Sequence, residues 1–243
     1  MERIILIETS TALCSTAIAE DGEIVCYRES SANRAHASLT AVFIDGMLKE
    51  RGCQLKDCSA VCISEGPGSY TGLRVGVSTA KGLCFGAGIP LLSVGTLEVL
   101  TNQAIQDHDR TDTPSASSED KGHPVQFKHI VPMVDARRME VYTAVFDGNG
   151  TRETETEAKI IDSGSFSDIL AQGPVLFIGD GAAKCESVIK HPNAHFLQTC
   201  PKASAMLRPA LRELHEGHFR DVAYFEPFYL KEFVATASKK KLF

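Results

Sequence analysis

The 243-residue sequence has no Cys-x-x-Cys pair, no apolar run that approaches 18 residues and no surplus of basic side chains. A membrane helix needs an apolar run of that length, and no signal peptide opens the chain, so we expect an intracellular, cytoplasmic protein that does not contact a membrane. The net charge of −6 argues against a chain that binds nucleic acid alone, because a tRNA or DNA binder normally carries a basic face.

Signatures of metal sites and of hydrolases are also missing. The sequence has no P-loop, no Gly-x-Ser-x-Gly and no His-Glu-x-x-His motif. His191 and His195 are four residues apart, but the intervening Pro192 and Asn193 indicate a loop. The eight cysteines show no zinc spacing and lie mostly in apolar segments, which is typical of buried, reduced thiols. We therefore predict neither a catalytic residue nor a metal ligand in this chain.

The most informative segment that is present is the glycine-rich run Gly66–Gly76. It follows a short apolar stretch and continues without proline to Gly86, which predicts a strand, a turn and a helix. Unpaired N–H groups at such a helix N-terminus suit an anion or phosphate. Two stripes of small residues run along the helix, Gly72–Gly76–Ala80 and Ser78–Gly82–Gly86. Each interior glycine costs roughly 1 kcal/mol relative to alanine, so we expect another element to approach this helix closely.

The two halves of the chain share one pattern. An apolar strand ends at an acidic residue, Glu8 or Asp135, and a reversing strand then leads to an Asp-Gly hairpin at Asp21 or Asp147. This duplication predicts two α/β subdomains facing each other across a cleft, the actin-like (ASKHA, ribonuclease H-like) architecture. We expect an N-terminal subdomain with partner-binding helices, a low-complexity surface loop, a second subdomain, and a C-terminal helix with a tail that packs back. The boundaries are 1–105, 106–124, 125–201 and 202–243.

An actin-like fold gives the residues at the cleft a role. There, an acidic residue ending the first strand can hold Mg²⁺ through water, and hard cations prefer carboxylate oxygens. The candidate nucleotide-binding residues are Glu8, Thr9, Ser10, Gly66, Gly68, Asp135, Gly179 and Gly181. The alternative is that Glu8 caps a turn and that Asp135 pairs with Arg137 or Arg138.

The first predicted helix, residues 34–50, carries two apolar stripes on nearly opposite sides. One stripe would meet the sheet, so the other would be covered by another protein or, alternatively, by the rest of this chain. We assign the second stripe and the glycine-rich helix to a partner interface. Its predicted residues are Arg34, Ala37, Ala41, Ile44, Leu48, Gly72, Leu73, Gly76 and Ala80.

Four segments, Ile5–Thr11, Gly66–Gly76, Val134–Tyr142 and Glu226–Leu230, together resemble the bacterial TsaB (YeaZ) family. The resemblance implies an actin-like fold and a role in forming N6-threonylcarbamoyladenosine at position 37 of tRNA. It also implies a non-catalytic subunit that binds the paralogue TsaD through these two helices, with the ATPase TsaE as third component. The free protein would form a homodimer, and tRNA would be met only through the complex.

One departure from the TsaD pattern supports that reading. TsaD carries a metal-binding His-x-x-x-His pair where this chain has Thr96 and Leu100. Leucine cannot ligate a metal, and threonine is a poor substitute for imidazole. No cofactor is firmly predicted, and ATP or ADP with Mg²⁺ at the complex interface is the one candidate. The alternatives are a self-sufficient ATP-dependent kinase or carbamoyltransferase and, third, a metalloprotease, against which the missing histidines count.

Overall fold

The computed structural model describes residues 1–32, 35–111 and 125–231. The first half forms a five-stranded sheet in the order β3-β2-β1-β4-β5. Its strands are β1 (Arg3–Glu8), β2 (Cys14–Glu20), β3 (Glu23–Ser30), β4 (Ala60–Gly66) and β5 (Leu91–Gly95). Strands β1, β4 and β5 run parallel, whereas β2 pairs antiparallel with both of its neighbours. The helices of this half are α1 (Ala35–Glu50), α2 (Tyr70–Ala87) and α3 (Thr96–Thr111).

The second half repeats this topology. Its strands are β6 (His129–Asp135), β7 (Glu140–Thr143), β8 (Phe146–Asp147), β9 (Glu157–Ile160), β10 (Val175–Gly179) and β11 (Ala194–Gln198). Their order is β11-β10-β6-β7-β9, with the short β8 also paired to β6. The helices of this half are α4 (Ser167–Leu170) and α5 (Ala182–Glu186), whereas α6 (Leu207–His215) follows them in the chain and packs on the first sheet. In both sheets the first strand is central, flanked by an antiparallel hairpin and by parallel strands. This confirms the predicted actin-like α/β fold.

The central strand β1 explains how each half is layered. All six of its residues are buried, and successive side chains point to opposite faces. Ile5 and Ile7 pack in one core with residues of α1 and α2. Ile4 and Leu6 pack in another core with residues of the 203–210 segment. Helices therefore cover both faces of the sheet, as a continuous apolar strand requires.

Helix α3 connects the two halves and is absent from the sequence prediction. Its Leu97, Leu100 and Ala104 pack with Ile130 and other residues of the second sheet. This packing stabilises α3, although the polar residues at its C-terminal end show little of the apolar spacing that predicts a helix. The surface loop predicted over 106–124 is therefore helical up to Thr111, and residues 112–124 lie outside the described residues.

The loop predicted at Pro192 and Asn193 is present, and His195 lies beyond it in β11, which pairs in parallel with β10. One further segment differs from the prediction. The single reversing strand predicted over 139–146 is split into β7 and β8. The Val145 N–H donates to Thr154 Oγ1 at 2.9 Å, and its carbonyl accepts the Glu153 N–H at 2.8 Å, which diverts the backbone from regular pairing.

Candidate functional site

A cavity of about 600 Å³ lies between the two halves, where β1 and β6 end. Its lining comes from the β1–β2 turn, the start of α2, the β6–β7 turn and the C-terminal segment. The lining includes Ser10, Thr11, Ser69, Asp135, Asp180 and Lys231. Ser10, Gly68 and Asp135 of the candidate nucleotide-binding residues thus meet around one cleft, as the duplicated topology predicts. A second cavity, of about 570 Å³, lies beside α3 and is lined by residues that include Ile105, Phe127 and Asn149.

Glu8 ends β1 beneath the cleft with a completely buried side chain. Its Oε1 accepts the backbone N–H of Ser10 at 2.6 Å, whereas its Oε2 has no hydrogen-bond partner among the described residues. Burial raises the pKa of the carboxyl from its ordinary value of 4.5 to about 7, against the opposing effect of Ser10 and Ser64 nearby. Glu8 therefore caps a turn through Oε1, as the alternative interpretation proposed, while Oε2 is available to a ligand.

The turn after Glu8 leaves further polar atoms unsatisfied. The hydroxyls of Ser10 and Thr11 are buried, line the cleft and have no hydrogen-bond partner within the described residues. Buried polar atoms are nearly always paired, so such a cluster marks a place for a ligand or an ordered ion. Helix α2 begins beside them with Ser69 as its N-cap, the Ser69 hydroxyl accepting the Gly72 N–H at 3.3 Å.

The second half contributes a different arrangement at the end of β6. The Asp135 side chain is about half exposed and forms an ion pair with Lys184; it also accepts the backbone N–H of Arg137 at 2.7 Å. Asp180 accepts the Asp135 N–H at 2.9 Å, and its pKa is raised chiefly by burial, with the charge of Asp135 adding to the effect. Asp135 therefore pairs with Lys184. The sequence had suggested either Mg²⁺ or the side chain of Arg137 or Arg138 as its partner.

The glycines explain which parts of the chain approach closely. A Cβ on Gly68 would stand 2.3 Å from the Ser10 carbonyl oxygen, and one on Gly72 would stand 2.1 Å from that of Thr9. The glycine-rich turn and helix are thus pressed against the β1–β2 turn of the same chain. For the Gly72–Gly76–Ala80 stripe, the interpretation as room for another protein was wrong.

At the other candidate glycines, too, atoms of the same chain fill the space that a side chain would need. Gly179 and Gly181 lie against Met133, whose carbonyl oxygen would be 2.2 Å and 3.1 Å from a Cβ at each position. Gly66 lies against the Phe228 carbonyl oxygen at 2.8 Å. These three residues are closely packed against the backbone of the same chain and do not line the 600 Å³ cleft. Neither Lys184 nor Lys231 was predicted at the site, because both reach it from segments distant in the chain.

Comparisons with known proteins agree with this geometry. A family model described as "TsaD: tRNA N6-adenosine threonylcarbamoyltransferase" matches residues 29–239. The chain is 28% identical over 240 residues to "tRNA threonylcarbamoyladenosine biosynthesis protein TsaB" of Escherichia coli strain K12, covering 96% of each chain. It is 32% identical over 139 residues to the Haemophilus influenzae protein of the same name, covering 57% of this chain and 51% of that one. The solved structure "YeaZ from Pseudomonas aeruginosa" superposes with a TM-score of 0.77 at 22% identity, covering 95% of this chain and 100% of that chain.

The chain belongs to the TsaD-related family, in its TsaB (YeaZ) branch. Thr96 and Leu100, where the sequence resemblance placed the metal-binding histidines of TsaD, make structural contacts in this chain. The Thr96 hydroxyl forms a buried hydrogen bond with that of Ser64 at 2.8 Å, and Leu100 is fully buried in the core between α3 and the second sheet. This TsaB-branch chain uses the two positions for packing.

Most residues predicted to face a partner pack inside this TsaB-branch chain instead. Ile44 and Leu48 of α1 are buried in the core beneath the helix together with Met47, so the face that meets the sheet takes residues from both predicted stripes. Gly72, Leu73, Gly76 and Ala80 of α2 are buried too. Ala37 and Ala41 are exposed as predicted, and Arg34 lies outside the described residues.

The open side of α1 and α2 keeps exposed apolar residues beside the exposed Lys49–Asp45 ion pair. Val42 is 60% exposed and Phe85 is 85% exposed, and the backbone at Gly46, Gly82 and Gly86 has no neighbour where a Cβ would stand. We call this surface the α1–α2 face. It comprises Ala37, Ala41, Val42, Gly46, Gly82, Phe85 and Gly86.

Other candidate chemistry is accounted for by structural contacts. In the described residues the one group with metal-ligand spacing is Glu213, Glu216 and His218, and Glu213 is already paired with Arg212 and Arg220. The eight cysteines are free thiols, two of them half-buried and the others buried. Within the described ranges, no helix has both the length and the apolar content needed to span a membrane.

Proposed function

We propose that this protein is a non-catalytic subunit of the tRNA N6-adenosine(37) threonylcarbamoyltransferase complex. It binds and supports a TsaD-type catalytic subunit, together with a TsaE-type ATPase, and meets tRNA only through that complex. In the absence of the partner it forms a homodimer through the same surface. The observation that carries the proposal is the exposed α1–α2 face on a scaffold that matches TsaD but keeps no histidine at the metal positions.

The α1–α2 face has the properties of a docking surface. Phe85 and Val42 are exposed large apolar side chains on the adjacent helices α2 and α1, and aromatic anchors of this kind dominate the energetics of interfaces. Gly82 and Gly86 lie on the same side of α2 as Phe85, where a missing side chain lets another helix approach the backbone. The TsaD family model matches residues 29–239, a range that includes α1 and α2, which supports docking between like helices of the two paralogues.

The chain lacks the metal ligands of a catalytic subunit, so a partner must supply the catalytic site. A metal ion would need imidazole or carboxylate ligands at the end of β5, where Thr96 and Leu100 supply a hydroxyl already bonded to Ser64 and an apolar side chain. The structural roles of these two residues support a supporting subunit rather than a second transferase.

Nucleotide at the complex interface is compatible with the cleft. The unpartnered hydroxyls of Ser10 and Thr11 and the N-terminus of α2 suit phosphate oxygens. Glu8 and Asp180 are carboxyls that could hold Mg²⁺ through water. A bound Mg²⁺ would neutralise phosphate charge; the residues of this chain would hold and orient the nucleotide.

The docking proposal is tested by co-purification of the chain with its TsaD-type paralogue. Phe85→Asp places a charge in the middle of the α1–α2 face, and we expect recovery of the complex to fall at least tenfold. Ile160→Asp is the matched control, because Ile160 is 73% exposed on β9 of the second half. Equal recovery with wild type, Phe85→Asp and Ile160→Asp would contradict the proposed surface.

A self-sufficient ATP-dependent enzyme is a second candidate, favoured by the same unpartnered buried oxygens in the cleft. Calorimetry of the isolated chain with ATP and Mg²⁺ separates the two. Tight binding with turnover in the absence of any partner would favour the second candidate. Weak binding without turnover is the result expected of a supporting subunit.

A further inference from the structure

The C-terminal segment Phe225–Lys231, here called the strap, runs from the first half of the molecule to the second. It is attached to the first half at several points. The Lys81 ammonium donates to the Phe225 carbonyl at 3.0 Å, and the Phe228 N–H donates to the Glu65 carbonyl at 2.7 Å. The strap thus follows the flank of α2 and then the end of β4.

Two features show that the first half is shaped to receive the strap. Gly66 has φ +114°, and its missing Cβ leaves room for the Phe228 carbonyl oxygen, which would otherwise be 2.8 Å away. The Tyr229 ring contacts the ring of Tyr70 at the start of α2, with centroids 4.8 Å apart. Any side chain on Gly66 would push the strap off this seat.

The far end of the strap reaches the second half through charge. Lys231 forms an ion pair with Glu140 of β7. Phe228 lines a small cavity of about 150 Å³, whereas Lys231 lines the 600 Å³ cleft. The strap therefore passes between two cavities at the boundary of the two halves. Within the described residues, the Lys231–Glu140 pair is the one ion pair between the strap and the second half.

Glu140 connects the strap to the acidic group of the cleft. Its carbonyl accepts a hydrogen bond from the Lys184 ammonium at 2.7 Å, and Lys184 is also the partner of Asp135. The strap is shallowly seated, since Phe228 is 44% exposed and Tyr229 36%. Helix α3 is the other connection between the two halves, and in contrast to the strap it packs through buried apolar residues.

We propose that the strap is a latch that holds the two halves together across the mouth of the cleft. The Lys231–Glu140 ion pair is its closure, and breaking that pair lets the second half swing about α3 and opens the cleft. The inference goes beyond the docking role and needs neither nucleotide nor partner. It stands or falls separately from both.

Hydrogen exchange of the full-length free chain, followed by mass spectrometry, tests the latch. We expect Lys231→Gln and Glu140→Gln each to speed exchange in the peptides over 225–231 and 134–142 by about fivefold, the scale of a partly buried ion pair. The double variant should exchange no faster than either single variant, because both remove the same contact. Lys231→Arg should keep the protection.

The control is Lys159→Gln, which removes the exposed ion pair with Glu157 on the neighbouring strand β9. Exchange in the peptide over β1 should stay as in wild type for every variant. Unchanged exchange at 225–231 and 134–142 in the two single variants would overturn the latch. Equal acceleration in β1 would also overturn it, because the variants would then be weakening the whole fold.

Discussion

The hydroxyl oxygen of Thr9 stands 2.1 Å from the place that a Cβ on Gly76 would occupy. The same hydroxyl donates a hydrogen bond to the Gly72 carbonyl at 2.9 Å. These contacts bring the β1–β2 turn directly onto the backbone of α2. They assign the Gly72–Gly76–Ala80 stripe to the inside of the molecule, whereas the Ser78–Gly82–Gly86 stripe is exposed.

Alanine at these two kinds of glycine should have opposite effects on stability. Gly76→Ala meets Thr9 and the Ile63 side chain, so we expect it to lower the free energy of unfolding by about 1–3 kcal/mol. Gly82→Ala has open space and gains helix propensity, so it should raise that free energy by about 0.5–1 kcal/mol. Urea unfolding of the free chain measures both. Equal shifts of one sign would contradict the packing described at Thr9.

Aspartate substitutions should separate core from surface on α1. Ile44 is 1% exposed within the first core, so Ile44→Asp buries an unpaired charge and should lower the free energy of unfolding by about 4 kcal/mol or more. Ala41 is exposed, and Ala41→Asp should change it by less than about 0.5 kcal/mol. Thermal melting of the free chain compares the two. A fully stable Ile44→Asp variant would return this position to the partner surface.

The buried carboxyl of Glu8 should make stability depend on pH. Its pKa is about 7 in the folded state and ordinary in the unfolded state, so between about pH 4.5 and 7 the folded chain holds the extra proton. The free energy of unfolding should therefore fall as the pH rises through this window, by about 3 kcal/mol at most, and level off above pH 7.

Glu8→Gln removes this dependence while its amide oxygen can still accept the Ser10 N–H. We expect the variant to match wild type near pH 4.5 and to be the more stable of the two at pH 8. Denaturant unfolding at a series of pH values gives the comparison. Parallel curves for the two proteins across pH 5–8 would contradict a raised pKa at Glu8.

The unpartnered hydroxyl of Thr11 offers a test of nucleotide in the cleft. Replacing a buried, unsatisfied hydroxyl by a methyl group of similar shape costs little, so Thr11→Val should keep stability within about 1 kcal/mol of wild type. The affinity of the assembled complex for ADP with Mg²⁺ should fall about tenfold. Thr143→Val is the matched control, since Thr143 is equally buried and unpartnered but lies in β7 away from the cleft lining. Equal affinities for both variants would exclude Thr11 from the site.

The fold was largely predictable because its signals are local. The continuous apolar run before Glu8 and the Asp-Gly turns at Asp21 and Asp147 specify the central strands and hairpins wherever the rest of the chain goes. Helix α3 escaped prediction because its stability comes from burial of Leu97 and Leu100 against the distant second sheet. A polar helix end held by tertiary packing leaves little trace in the sequence.

The site was only half predictable, for a related reason. Glu8, Ser10 and Asp135 could be placed because each follows a central strand. Two apolar stripes on α1 do not reveal that the buried face takes Met47 from one and Ile44 from the other, so Ile44 was assigned to the wrong side. Lys231 reaches the cleft along a segment without regular structure, and no local pattern indicates where such a segment ends.

The central claim is that this chain supports catalysis without performing it. The most direct measurement is threonylcarbamoyl transfer to tRNA by a reconstituted mixture that contains a TsaD-type paralogue, a TsaE-type ATPase, ATP and threonylcarbamoyl-adenylate. We predict full activity with the chain, at least a tenfold loss when it is omitted or carries Phe85→Asp, and none from the chain alone. Modified tRNA from the chain alone, or an undiminished rate without it, would contradict the account.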